Sequence, residues 1–206
     1  HSTSLFSLPR LKLGYGITKN LEVFVAQNSF RGFSKYGNES YNYGSDIFAI
    51  GAKLNLTKQK GMLPEMAVIF TERFEPSNWR ENKYQSSLNL AWSYDLGKRF
   101  NLSGNIGYSF INPESHGLST LSLKLTYKLS SKVGLFTEWY LGENAFEFYV
   151  FNIGAYYQVS PRLLLNANIG TNSFLKSYPE GRGCGINATF GASFLLNNPN
   201  KAIRKR

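Results

Sequence analysis

Cysteine is all but missing from this 206-residue chain: Cys184 stands alone, so no intrachain disulfide can form. Histidine is nearly as scarce, with His1 at the terminus and His116 in a loop-like segment. A serine nucleophile would therefore have no strand-borne imidazole to activate it, and no Cys/His cluster has metal-binding spacing. The Gly-x-Gly at 14–16 and the glycine-rich stretch at 181–185 are not followed by a helix that would cradle phosphate. Carboxylates are few and do not form a catalytic constellation, although Glu22 and Glu138 are candidates to approach each other. These absences predict a protein that is not an enzyme and uses neither metal nor cofactor. Long apolar runs are also absent; nothing approaches 18 consecutive residues, which excludes a transmembrane helix. Acidic residues are outnumbered 13 to 23 by lysine and arginine, giving a net charge of +10. The cations are scattered over turns and strands, with no recognition helix or stripe, so no nucleic-acid partner is expected. Their one cluster is the tail Lys201, Arg204, Lys205 and Arg206, a charge run that is solvated by default.

What the chain has instead is alternation. From Ser86 to Leu96, Leu88, Leu90, Trp92, Tyr94 and Leu96 share one parity, and Ser87, Asn89, Ala91, Ser93 and Asp95 the other. Phe100 to Phe110 and Thr120 to Leu129 repeat the pattern. Side chains alternate across a strand, so each segment has one apolar and one polar face. Strands of soluble sandwiches average about 5–6 residues, whereas these run to about 10, the length that crosses a bilayer. The mean hydropathy of −0.28 is no objection, because only half of each such strand meets lipid. The fold expected is all-β: an antiparallel transmembrane β-barrel occupying residues 1–206 as a single domain, with membrane lipid as its surroundings and the outer membrane of a Gram-negative bacterium as its place.

Eleven strands are legible, at approximately 8–17, 21–29, 46–57, 64–74, 84–96, 100–110, 119–129, 132–142, 146–159, 163–173 and 184–196. Tight turns at 18–20, 58–62, 97–99, 130–131 and 160–162 alternate with longer loops at 30–45, 75–83, 111–118, 143–145 and 174–183. Outer-membrane barrels carry short turns on the periplasmic side, which places the tight set and the basic tail 197–206 there. The first loop, with Tyr36, Asn38, Tyr41, Asn42, Tyr43 and Gly44, suits a lid or a partner contact. On the apolar parity, Tyr15, Tyr94, Phe100, Tyr127 and Tyr157 lie near the turns; Phe70, Tyr108, Phe110, Trp139 and Tyr149 lie near the loops. Two such belts are the aromatic girdles of a membrane-spanning sheet. Bacterial barrels have an even strand count. Eleven therefore predicts a twelfth strand before residue 1, with residues 1–7 as the end of the preceding loop and a seam where the last strand cannot close antiparallel on the first.

The polar parity carries Arg10, Lys12, Glu22, Lys53, Lys124, Lys128 and Glu138 as candidate lumen-lining residues, with Glu65, Arg73 and Asp95 beside them. Opposite charges on neighbouring strands either pair and plug the lumen or line an aqueous path and set its selectivity. The same parity carries Phe24, Phe136, Tyr140, Phe148 and Tyr156. Tyr140 is expected opposite Phe148 across the 143–145 connection, and this patch either binds a hydrophobic or aromatic solute or fills the interior.

The N-terminal hairpin Ser7 to Val23, with Leu8-Pro9, Tyr15-Gly16-Ile17-Thr18 and Leu21-Glu22, resembles the hairpin of the outer-membrane transporter family named for the MetA pathway of phenol degradation. Leu63-Pro64 before a later strand fits the same pattern, and Gly14 stands where that family commonly has arginine. The resemblance implies a barrel with solute transport. Two functions follow as alternatives: a passive channel for small solutes, hydrophobic or aromatic ones included, or a non-conducting accessory barrel in an assembly with other outer-membrane proteins.

Overall fold

In a computed structural model of the chain, residues 2–7, 11–36, 39–75, 83–112, 116–142, 148–174 and 184–194 are described. Their secondary structure is strand and turn throughout: β1 (Ser2–Ser7), β2 (Leu11–Gly16), β3 (Leu21–Tyr36), β4 (Glu39–Thr57), β5 (Glu65–Glu75), β6 (Lys83–Leu96), β7 (Phe100–Asn112), β8 (His116–Lys128), β9 (Val133–Gly142), β10 (Phe148–Ser160), β11 (Leu163–Phe174) and β12 (Cys184–Phe194). They belong to one antiparallel sheet in the order β1-β3-β4-β5-β6-β7-β8-β9-β10-β11-β12, with β2 also on β3. By contacts the chain divides into two units, His1–Ala91 with Ile106–Ser119, and Trp92–Asn105 with Thr120–Arg206.

In the first unit, β1 and β2 pair with successive stretches of β3: Ser7 lies opposite Phe30, and Leu11 opposite Gln27. They form a single crossing rather than two. Residues 1–7, expected as the end of a loop, thus include a strand that prolongs the first one. Three residues separate β1 from β2 while two separate their partners, and Pro9 brings no N–H to the ladder. The segment 30–45, expected as a lid-like loop, is also corrected: β3 and β4 stay in register from Leu21↔Leu54 out to Tyr36↔Glu39. Its tyrosines and phenylalanines are strong strand formers, and this outweighs the loop-like glycine and asparagine content. Among the described residues the strands thus make eleven crossings, the number legible from the alternation.

The second unit contains the ladders β8–β9, β9–β10, β10–β11 and β11–β12. Its turns are built by short polar side chains. Ser130 Oγ accepts from the backbone N–H groups of Lys132 and Val133 at 3.2 and 3.0 Å, satisfying donors that the reversal leaves free. In the first unit Thr18 Oγ1 does the same for Asn20 and Leu21 at 3.2 and 3.0 Å. Gly97, in the turn between β6 and β7, takes φ of 73°, a conformation that side chains with a Cβ resist.

Burial runs opposite to that of a soluble protein. Ser87, Ser109, Ser122 and Thr71 are buried, while Leu13, Ile50, Leu88, Ile106, Leu121, Ile153, Ile169 and Phe190 are exposed. The exposed apolar residues are those of the parity expected to meet lipid. Ring pairs strengthen both ends of that face: Phe100 with Tyr127 near the turns, at 4.8 Å between centroids, and Phe74–Tyr84, Tyr108–Phe110 and Trp139–Phe151 near the loops. Tyr94 and Tyr127 are half-buried rather than fully displayed, and the side chain of Tyr149 lies outside the described residues.

Candidate functional site

The polar face of the second unit holds the most developed group of side chains. Lys124 on β8 is opposite Glu138 on β9. Its ammonium nitrogen sits 4.0 Å from the centroid of the Phe136 ring. The ring itself lies over Gly154 of β10, where an added Cβ would come within 2.4 Å of Phe136 Cζ. Tyr156 covers Gly134 in the reverse sense. A ring laid across a neighbouring strand's glycine repairs the packing that the glycine lacks, and Phe136 keeps only 7% of its surface exposed. Lys124, Phe136, Glu138, Tyr156, Asn166 and Asn168 border a recess of about 260 Å³. Nearby, Lys128 Nζ is 3.6 Å from Asp95 Oδ1, which also accepts from Asn101 Nδ2 at 3.0 Å.

The first unit repeats this arrangement. Lys12 lies 4.0 Å from the centroid of Phe24, and Phe24 covers Gly51, opposite it on β4. Lys12 Nζ also stands 3.7 Å from Glu22 Oε1, and Lys53 is opposite Glu22 across the β3–β4 ladder. The likeness is written in the sequence: Leu11-Lys12-Leu13-x-Tyr15 and Leu123-Lys124-Leu125-x-Tyr127 are each followed by a hydroxyl-capped turn and then by Phe24 or Phe136 at the same spacing. Sequence reading by alternation missed this internal repeat because it compared parities, not segments; aligning the chain with itself would have found it. Each repeat also sends a turn carbonyl to the following strand, Asn20 O to Asn55 N–H at 2.8 Å and Lys132 O to Gln158 N–H at 2.7 Å.

Of the residues expected to line the lumen, Lys12, Glu22, Lys53, Lys124, Lys128 and Glu138 all lie on the polar parity; Arg10 lies outside the described residues. The aromatic patch is only partly assembled as expected. Tyr140 stands opposite Val150, and Phe148 opposite Gly142. The ladder is thus displaced by two residues from the register expected, which leaves Tyr140 and Phe148 as diagonal neighbours. The side chain of Phe148 is outside the described residues. Among the described residues, no three His, Cys, Asp or Glu side chains gather as a metal site.

Comparison with known proteins bears on the family and the all-β fold. Residues 71–188 match the family model described as "Putative MetA-pathway of phenol degradation". The hairpin 7–23 that carries the sequence resemblance lies outside that span. Among solved structures, a KdgM porin in complex with disordered oligogalacturonate superposes with a TM-score of 0.56 at 7% identity, covering 95% of this chain and 100% of the porin. A NanC porin gives 0.49 at 11% identity over 91% of this chain and 99% of its own. No curated protein matches.

Proposed function

Since more than half of the chain is matched, it belongs to the MetA-pathway phenol-degradation family of outer-membrane barrels, and from that premise we propose that it is a passive outer-membrane channel for small hydrophilic solutes. One observation carries the hydrophilic part of the reading. Phe24 and Phe136, two of the five aromatic side chains expected to hold an aromatic solute, are spent on cross-strand glycines beneath lysines, with 8% and 7% of their surface left. The wet face then offers a solute the amides of Asn166 and Asn168, the Tyr156 ring edge and paired charges. Within their own units the Lys12–Glu22 and Lys128–Asp95 side chains keep 39–53% exposure.

The KdgM neighbour was solved with oligogalacturonate, an anionic sugar polymer. On this chain Lys53 and Lys124 each face a glutamate, so the expected path is charge-balanced and weakly selective. Removing one carboxylate should tip it. Glu138→Gln leaves Lys124 without its opposite charge and is expected to raise the anion-to-cation permeability ratio by about two- to fivefold at low salt, an effect that fades as salt screens it. Reversal potentials of the full chain in planar bilayers under a salt gradient measure this. Absence of any conductance step from correctly folded protein would support the accessory-subunit alternative instead.

A further inference from the structure

The apolar face of the first unit carries a depression. Leu13, Tyr15, Val25, Ile50, Ala52 and Phe70 border a trough of about 570 Å³ running over β2 to β5. That volume is within the range of clefts that hold small molecules, about 300–1,000 Å³. The trough exists because small residues meet large ones at one level: Ala52 lies between Val23 and Phe70 in the ladders, with Tyr15 beyond Val23. Between the trough and the tight turns the outer face continues with exposed Ile17, Leu54 and Leu56.

Beyond its two ends the outer face carries opposite charge. At the turn end, Lys19 lies in the β2–β3 turn, and Lys58 and Lys60 lie in the β4–β5 turn; all three are exposed, and neither turn contains an acidic residue. At the loop end, Glu72 shares the outward parity and stands opposite Ile50, its Oε2 accepting from Ser86 Oγ at 2.6 Å. An amphiphile with an anionic head therefore fits in one direction only. The reach also agrees. Ala52 to Lys58 is six residues, about 20 Å along a strand and about 15 Å along the bilayer normal at the usual tilt, half of a hydrocarbon core.

We propose that this trough binds one anionic phospholipid, one of its two acyl chains lying over β2 to β5 and its phosphate held by Lys19, Lys58 and Lys60. The proposal rests on the chain spanning a bilayer and is independent of whether it conducts solute. Juxtamembrane lysines attract anionic headgroups individually and additively, so three of them suffice to discriminate phosphatidylglycerol from a zwitterionic lipid.

The test is native mass spectrometry of the full-length chain refolded in detergent and titrated with phosphatidylglycerol or phosphatidylethanolamine, with conductance recorded in parallel. The wild type is expected to retain one phosphatidylglycerol at least about tenfold more tightly than phosphatidylethanolamine. Lys19→Ser/Lys58→Ser/Lys60→Ser should abolish that preference, while Ala52→Phe, which fills the trough from its open side, should weaken both lipids. Equal retention of the two lipids by the wild type, or a preference unchanged in the triple variant, overturns the proposal. So does a dimer mass that disappears with Ala52→Phe, which would make the trough a seam between two copies. Loss of conductance with lipid retention intact would count against the channel reading alone.

Discussion

Ile169→Arg is expected to cost the folded barrel about 2–4 kcal/mol, whereas Thr189→Arg should change it by no more than about 0.5 kcal/mol. The two positions lie one residue apart in level on adjacent strands. Ile169 is 59% exposed among apolar neighbours, opposite Ile153 on one side and Ala188 on the other. Thr189 stands opposite Asn168, on the polar parity, where a guanidinium keeps water and amide partners. A charge on the first site must be drawn into hydrocarbon or distort the bilayer around it. Urea titrations of the two variants refolded into phosphocholine vesicles give both values, and equal losses would contradict the facing of β11 and β12. A wet-face comparator must be chosen with care. Ser122 has the right parity but is 8% exposed and accepts from Asn105 Nδ2 at 3.0 Å, so a long side chain there would meet packing rather than water.

That comparator shows what alternation conveys and what it omits. The period of two gave the facing of Leu88, Ile106, Leu121 and Phe190, and from β5 onward the strand limits to within a few residues, because lipid outside and water inside impose opposite demands on successive side chains. It also put Lys12, Glu22, Lys53, Lys124 and Glu138 on one face. It could not give depth along that face. Whether a polar residue is open, like Thr189, or buried, like Ser87 and Ser122, depends on how neighbouring strands stagger, and stagger is a property of pairs. The error in the Tyr140–Phe148 register has the same origin: a two-residue displacement preserves parity and is invisible to it. In the outer part of the β3–β4 hairpin alternation weakens and glycine and asparagine suggest a loop, yet Phe30, Phe33, Tyr41 and Tyr43 favour strand, and the ladder continues to Tyr36↔Glu39. The glycines beneath Phe24 and Phe136 were legible only as strand glycines, since the ring that covers each comes from a different strand.

Those ring-on-glycine contacts set the final expectation. Phe136→Ala should cost about 3–5 kcal/mol, the range of buried aromatic truncations, because it uncovers Gly154 and leaves the Lys124 ammonium without the π face beneath it. Tyr140→Ala, at a site 38% exposed on the same strand, should cost markedly less, since water replaces an already wetted ring. Gly154→Ala probes the contact from below. Its new Cβ would stand 2.4 Å from Phe136 Cζ and 2.5 Å from the Ala167 carbonyl oxygen, so the strand must shift, at about 1–3 kcal/mol. The double variant Gly154→Ala/Phe136→Leu separates these two clashes. Shortening the ring relieves the first, but the carbonyl belongs to the β11 backbone and cannot rotate away, so recovery should be partial and the cycle non-additive. Heat-modifiability on gels together with denaturant titration measures these four and the single Phe136→Leu that closes the cycle. A Phe136→Ala barrel as stable as the wild type, with altered solute permeation, would return the ring to the role of a binding surface and reverse the hydrophilic reading of the path.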